Sequence, residues 1–117
     1  LLGHLGAVAR ESGFTAVVHS DQVPPIDDMV LSLIDEGCVP GGTKANLEAA
    51  SNTSFAAGVP DSLKLLLADA QTSGGLLLSV PPESLDQALS LLKEKGAPCA
   101  EVIGEMKPRN DHDIEVL

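Results

Sequence analysis

Segments of helical period and segments of strand period alternate along this chain, and glycine or proline separates almost every pair. Apolar residues three and four apart line one side of a helix, whereas two-residue alternation or a short continuous apolar run fits a strand. A chain that switches between the two at short intervals is confined to layered architectures of helix and sheet.

Leu1, Leu5 and Val8 have helical spacing, and Gly13 suits a left-handed terminator. Phe14 to His19 reads as a strand ended by Asp21 to Pro25. Ile26, Met29, Val30, Leu33 and Ile34 form the clearest helical stripe, with Asp27, Asp28, Asp35 and Glu36 opposite and Gly37 at its end. Asp27 and Asp28 suit the positive pole of that helix. Asp35 and Glu36 lie at its negative pole, so something other than helix stability placed them there.

A short helix is expected over Lys44 to Ala50, a loop over Ser51 to Pro60 and a helix over Pro60 to Ala68. Leu76 to Val80 reads as a continuous apolar strand of the kind buried on both faces, stopped by Pro81 and Pro82. The next helix has Leu85, Ala88, Leu89 and Leu92 as its buried stripe, Ser84 and Gln87 as a capping box and Gly96 as terminator. Ala100 to Ile103 and Asp113 to Leu117 complete the strands. The fold class is therefore α/β (α+β): a mixed sheet of about four strands layered with about four helices, in a single domain over residues 1–117.

Composition removes several function classes. Hydrophobic residues are 44% of the chain but aromatics only 2%, so the core is aliphatic. With 17 Asp plus Glu against 7 Lys plus Arg, the net charge is -10. That balance excludes a nucleic-acid surface, which needs clustered cations or stacking aromatics. No apolar run approaches the roughly twenty residues that span a bilayer, so no membrane contact is expected. Leu1 to Ala9 lacks the basic leader of an export signal. Cys38 and Cys99 lack zinc spacing and are expected to be reduced, in the cytoplasm. His4, His19 and His112 show no ligand spacing, and His4 is expected to serve packing or a local hydrogen bond. The scattered acids are expected to form a solvated face.

Two loops carry the remaining information. Gly41-Gly42-Thr43 precedes a helix, where the residues taken alone favour a turn followed by Thr43 as the N-cap of that helix over free N–H groups and a hydroxyl holding an anion such as phosphate. Asp69-Ala70-Gln71-Thr72-Ser73-Gly74-Gly75 offers polar side chains and close backbone approach at the mouth of a strand. Its side chains suit either a ligand or the capping of the preceding helix.

In this order, Leu1-Leu2-Gly3-His4-Leu5, then Val39-Pro40-Gly41-Gly42-Thr43 with Asn46, then the Asp69–Gly75 stretch with Leu76-Leu77, and finally Val102-Ile103-Gly104-Glu105 resemble the C-terminal half of the selenophosphate synthetase (selenide, water dikinase) family. The resemblance spans residues 1 to about 106. It implies a C-terminal α/β domain like that of aminoimidazole ribonucleotide synthetase, beside an N-terminal ATP-binding domain absent from this chain. It implies an enzyme that turns selenide, ATP and water into selenophosphate, AMP and orthophosphate with Mg2+, as a homodimer. It implies that the reactive Cys or selenocysteine, its Lys and the metal-binding Asp residues lie upstream of Leu1. The chain alone is then inactive, binds neither ATP nor Mg2+ tightly, and has no catalytic or metal residue of its own.

Carried over by motif are cleft-lining residues. Gly41, Gly42, Thr43 and Asn46 match the family's GGTxxN, and Asp69, Gln71, Thr72, Ser73, Gly74 and Gly75 match its DxQTSGG. Ala45 stands where the family often has Arg, and Ala70 where it often has Pro. The alternatives are a structural or regulatory module, or the C-terminal domain of a sister ATP-dependent kinase.

Overall fold

The computed structural model describes residues 1–72 and 74–117. Helix α1 (Leu2–Ser12) ends at Gly13, whose φ of 72° places it in the left-handed region that lets its N–H turn back to the carbonyls of Ala9 and Arg10. Strand β1 (Phe14–Val18) follows immediately. Helices α2 (Met29–Asp35), α3 (Gly41–Ala49), strand β2 (Thr53–Phe55), helix α4 (Asp61–Ala68), helix α5 (Leu85–Glu94) and strands β3 (Gly104–Pro108) and β4 (Ile114–Val116) complete the chain.

The strands form one sheet in the order β2-β4-β1-β3. β1 is parallel to β4, β4 is parallel to β2, and β3 runs antiparallel to β1. The mixed α/β expectation therefore stands. The core is aliphatic: Leu2, Leu5 and Ala9 of α1 meet Ala16 and Val18 of β1, Leu67 and Ala68 of α4, and Ile114 and Val116 of β4. Packing α1 on the central strands buries the face of α1 that carries Leu2 and Leu5, so the stripe runs through Leu2, Leu5 and Ala9. Val8 is left 49% exposed. His4 is exposed on the outer face, which corrects the packing role expected for it.

Several boundaries differ for physical reasons. The helix expected from Ile26 begins at Met29, and Ile26 is 98% exposed. Helix α3 starts at Gly41, with Pro40 as its N-cap, so Thr43 sits inside the first turn and is not the cap. The segment expected to be all loop contains β2, whose register against β4 is held by the Ala56 N–H to Val116 carbonyl bond of 2.8 Å. The strand expected over Ala100–Ile103 lies at Gly104–Pro108.

The largest correction concerns Leu76–Val80, which joins no strand; Leu76, Leu77 and Leu78 are 87%, 41% and 54% exposed. An apolar run specifies burial but not a partner, and the sheet β2-β4-β1-β3 is completed by other segments of the chain. Without that strand, α5 has no sheet face to cover. Its stripe Leu85, Ala88, Leu89 and Leu92 is half-buried rather than buried, and Ser84 makes no side-chain cap.

Candidate functional site

Helix α3 and the end of α4 lie side by side, and this brings the two loops together. Thr43 is buried, 2% exposed, and its hydroxyl donates to Asp69 Oδ1 at 2.8 Å. The same hydroxyl accepts the Ala70 N–H at 3.4 Å. One turn later, Asn46 Nδ2 donates to the Ala68 carbonyl at 3.1 Å, satisfying one of the orphan acceptors at the end of α4. The GGTxxN residues thus hold the start of the DxQTSGG loop in place.

Close approach explains one glycine here. A Cβ on Gly42 would stand 3.3 Å from the Ala70 Cβ, tighter than ordinary van der Waals contact. At Gly74 a Cβ would meet Gln71 Oε1 at 2.9 Å. Gln71, Thr72, Gly74 and Gly75 are exposed, as are Gly41 and Gly42 at the uncapped start of α3. The candidate residues therefore divide. Thr43, Asn46 and Asp69 are bonded to the frame, whereas Gly41, Gly42, Gln71 and Thr72 are exposed. Ser73 lies outside the described residues.

The start of α1 joins this surface. Leu1, half-buried, packs against the aliphatic core at this end. A groove of about 210 Å3 runs from α2 to Thr43 and Asp69, and Cys38 lines it. A larger concavity of about 460 Å3 opens at the carboxyl ends of β1, β4 and β2, lined by residues including His19, Ser20 and Asp21. Cys38 and Cys99 are both free and exposed. Among the described residues, no helix is long and apolar enough to cross a membrane.

One polar centre was not legible in advance. Asp113, expected among solvated acids, is 5% exposed and lies 2.9 Å from Arg10 Nη1 and 2.6 Å from Arg109 Nη2. Burial works to raise its pKa, but hydrogen bonds from Arg109, Asn52 and Arg10 and the Arg109 charge outweigh this and hold it below the usual carboxyl value. Beside it the fully buried Thr15 hydroxyl lies 2.7 Å from the His112 carbonyl and accepts the Asn110 N–H at 3.0 Å. These contacts fasten the C-terminal segment to α1 and β1. The only sequence signal was the polar run Asn110–Asp113 opening a strand.

A family model described as AIR synthase related protein, C-terminal domain, matches residues 1–117. The chain is 40% identical over 116 residues to selenide, water dikinase of Haemophilus influenzae (strain 86-028NP), covering 99% of this chain and 32% of that protein. It is 41% identical over 117 residues to selenide, water dikinase of Pseudomonas aeruginosa, covering all of this chain and 33% of the relative. Selenide, water dikinase of Sulfurimonas denitrificans is 39% identical over 117 residues, with 100% and 33% covered. The chain thus spans about a third of the length of the curated relatives it matches. A mixed sheet under aliphatic helices, two loop motifs locked by Thr43 and Asp69, and a family match along the whole chain lead to one assignment: this protein belongs to the AIR synthase related family, as its C-terminal domain.

Proposed function

We propose that residues 1–117 form a single domain of a longer, cytoplasmic, ATP-dependent enzyme that makes selenophosphate from selenide, ATP and water, releasing AMP and orthophosphate. The domain lines one side of the active-site cleft, opposite its own N-terminal domain, in a homodimeric parent. The names of the relatives support this reading, and the Thr43–Asp69 bond carries the assignment of the cleft wall. That bond joins both loop motifs into one surface.

On this reading the two sets of residues act differently. Thr43, Asn46 and Asp69 position the loop through the 2.8 Å and 3.1 Å bonds. The N–H groups of Gly41 and Gly42 and the side chains of Gln71 and Thr72 face substrate, with Gly74 and Gly75 leaving room for close approach; Ser73, matched by motif, lies outside the described residues. Donors placed before reaction are suited to charge on transferring phosphoryl groups, because they need no reorganisation as that charge develops. Mg2+, implied by the family, neutralises phosphate charge when bound. Among the described residues, no group of three or more His, Cys, Asp or Glu comes together to hold a metal. The magnesium site does not fit within this domain alone, and no step here runs through it.

The test uses the full-length parent. Thr72→Ala should lower selenide-dependent ATP consumption by about tenfold or more through lost positioning, without unfolding the domain. Wild-type kinetics in that variant would remove the loop from the cleft.

A further inference from the structure

The acids at the two ends of α2 flank an apolar surface that the domain leaves open. Helix α2 buries no residue. It leans on α4, while Met29 and Leu33, one turn apart, are 59% and 38% exposed. Beneath Leu33 lies the groove of about 210 Å3, walled by Val30, Leu33, Ile34 and Leu66 and reaching Cys38 and Asp69. Because Asp69 belongs to both, the groove is continuous with the loop surface described above. At 210 Å3 it falls below the roughly 300–1,000 Å3 of small-molecule sites, so it suits inserted side chains.

Its rim is mainly acidic. Asp27, Asp28, Asp35 and Glu36 are all exposed; the cations of the two following helices are Lys44 of α3 and Lys64 of α4, the latter paired with Asp61 at 2.7 Å. Asp35 and Glu36 stand at the negative pole of α2, where they weaken the helix. Acids kept at a cost beside exposed Met and Leu match a partner that is apolar in the middle and basic at the rim.

We propose that this groove is where the domain docks against the remainder of its own longer chain, through a segment that inserts an apolar side chain flanked by Lys or Arg. The occupant follows from three observations: the acidic rim, the continuity with the loop surface, and relatives of which this domain makes up 32–33%. The inference rests on the reading of the chain as one domain of a longer enzyme.

Cys38 is a built-in reporter, since it is exposed here and lines the groove. Its alkylation by N-ethylmaleimide, followed by mass spectrometry, should be about tenfold or more slower in the full-length parent than in the 117-residue chain, because reaction tracks the open fraction. Leu33→Asp in the parent should restore the fast rate. Asp35→Lys together with Glu36→Lys should restore part of it, and no effect of that pair would overturn the basic character of the docking segment. Equal Cys38 rates in parent and isolated chain would overturn the proposal. So would slowing in the isolated chain as its concentration rises, which would make the occupant a second copy. Selenide-dependent ATP consumption is measured on the same parent preparation. Protected Cys38 without that activity would retain the docking site and reject the enzymatic reading; activity with unprotected Cys38 would do the reverse.

Discussion

Thr43 in the first turn of α3 donates its hydroxyl to Asp69 at the end of α4, across 26 positions of sequence and 2.8 Å of space. Thr43 is buried and Asp69 half-buried, so each side chain would be left poorly solvated without the other. Thr43→Val keeps shape and removes the hydroxyl. It should cost about 1–2 kcal/mol in urea unfolding at unchanged m-value, with Thr43→Ser recovering most of the loss. Equal stability of the Val and Ser variants would show that the hydroxyl bonds contribute nothing.

The two adjacent glycines should respond in opposite senses. Gly41 opens α3 with empty space where a Cβ would stand, so Gly41→Ala should leave stability unchanged or raise it by up to about 0.5 kcal/mol. Gly42→Ala presses against Ala70 at 3.3 Å and should shift the amide resonances of Ala70 and Gln71 in a two-dimensional NMR spectrum. Identical loop spectra for both variants would remove the steric role of Gly42.

Asp113 should make stability depend on pH in the acid range. Its folded pKa is held below the ordinary 3.8, so the unfolded chain takes up the proton first as pH falls. The stabilisation is complete well above 3.8 and is lost as pH drops through that value toward the folded pKa. Asp113→Asn should flatten this acid limb. At neutral pH it should cost about 2 kcal/mol, less than a fully buried pair, because Arg10 and Arg109 remain partly in water. An unchanged acid limb would place the responsible carboxyl elsewhere.

Leucine substitutions should separate the packed part of the domain from the open part. Leu67, 1% exposed between α4 and the sheet, should lose about 3 kcal/mol on change to Ala. Leu91, 51% exposed on α5, should change by no more than about 0.5 kcal/mol on change to Ser. Comparable losses at the two sites in thermal unfolding would mean that α5 packs as tightly as α4.

Local features were legible where a residue acts on its own neighbours. Gly13 ends α1 because its left-handed φ is a property of that one position, and β1 follows from its own β-branched run. The aliphatic core was likewise readable from composition, and β1 and β4 from their own period, whereas the strand expected at Ala100–Ile103 lies at Gly104–Pro108. Leu76–Val80 misled because hydrophobicity demands cover without naming what supplies it. The three-residue β2 was invisible because its pairing belongs to β4, 61 positions away at Thr53↔Ile114.

The same division runs through the candidate site. The sequence by itself determined which residue types stand in the two loops, since glycine, threonine and carboxamide chemistry needs no neighbour to be recognised. Only the tertiary structure decided that Thr43, Asn46 and Asp69 are bonded to one another while Gln71 and Thr72 face outward, and that Asp113 is enclosed by two arginines. Hydrogen bonds and burial are relations between distant positions, and they exist once α3 lies on α4 and the C-terminal strand lies on β1.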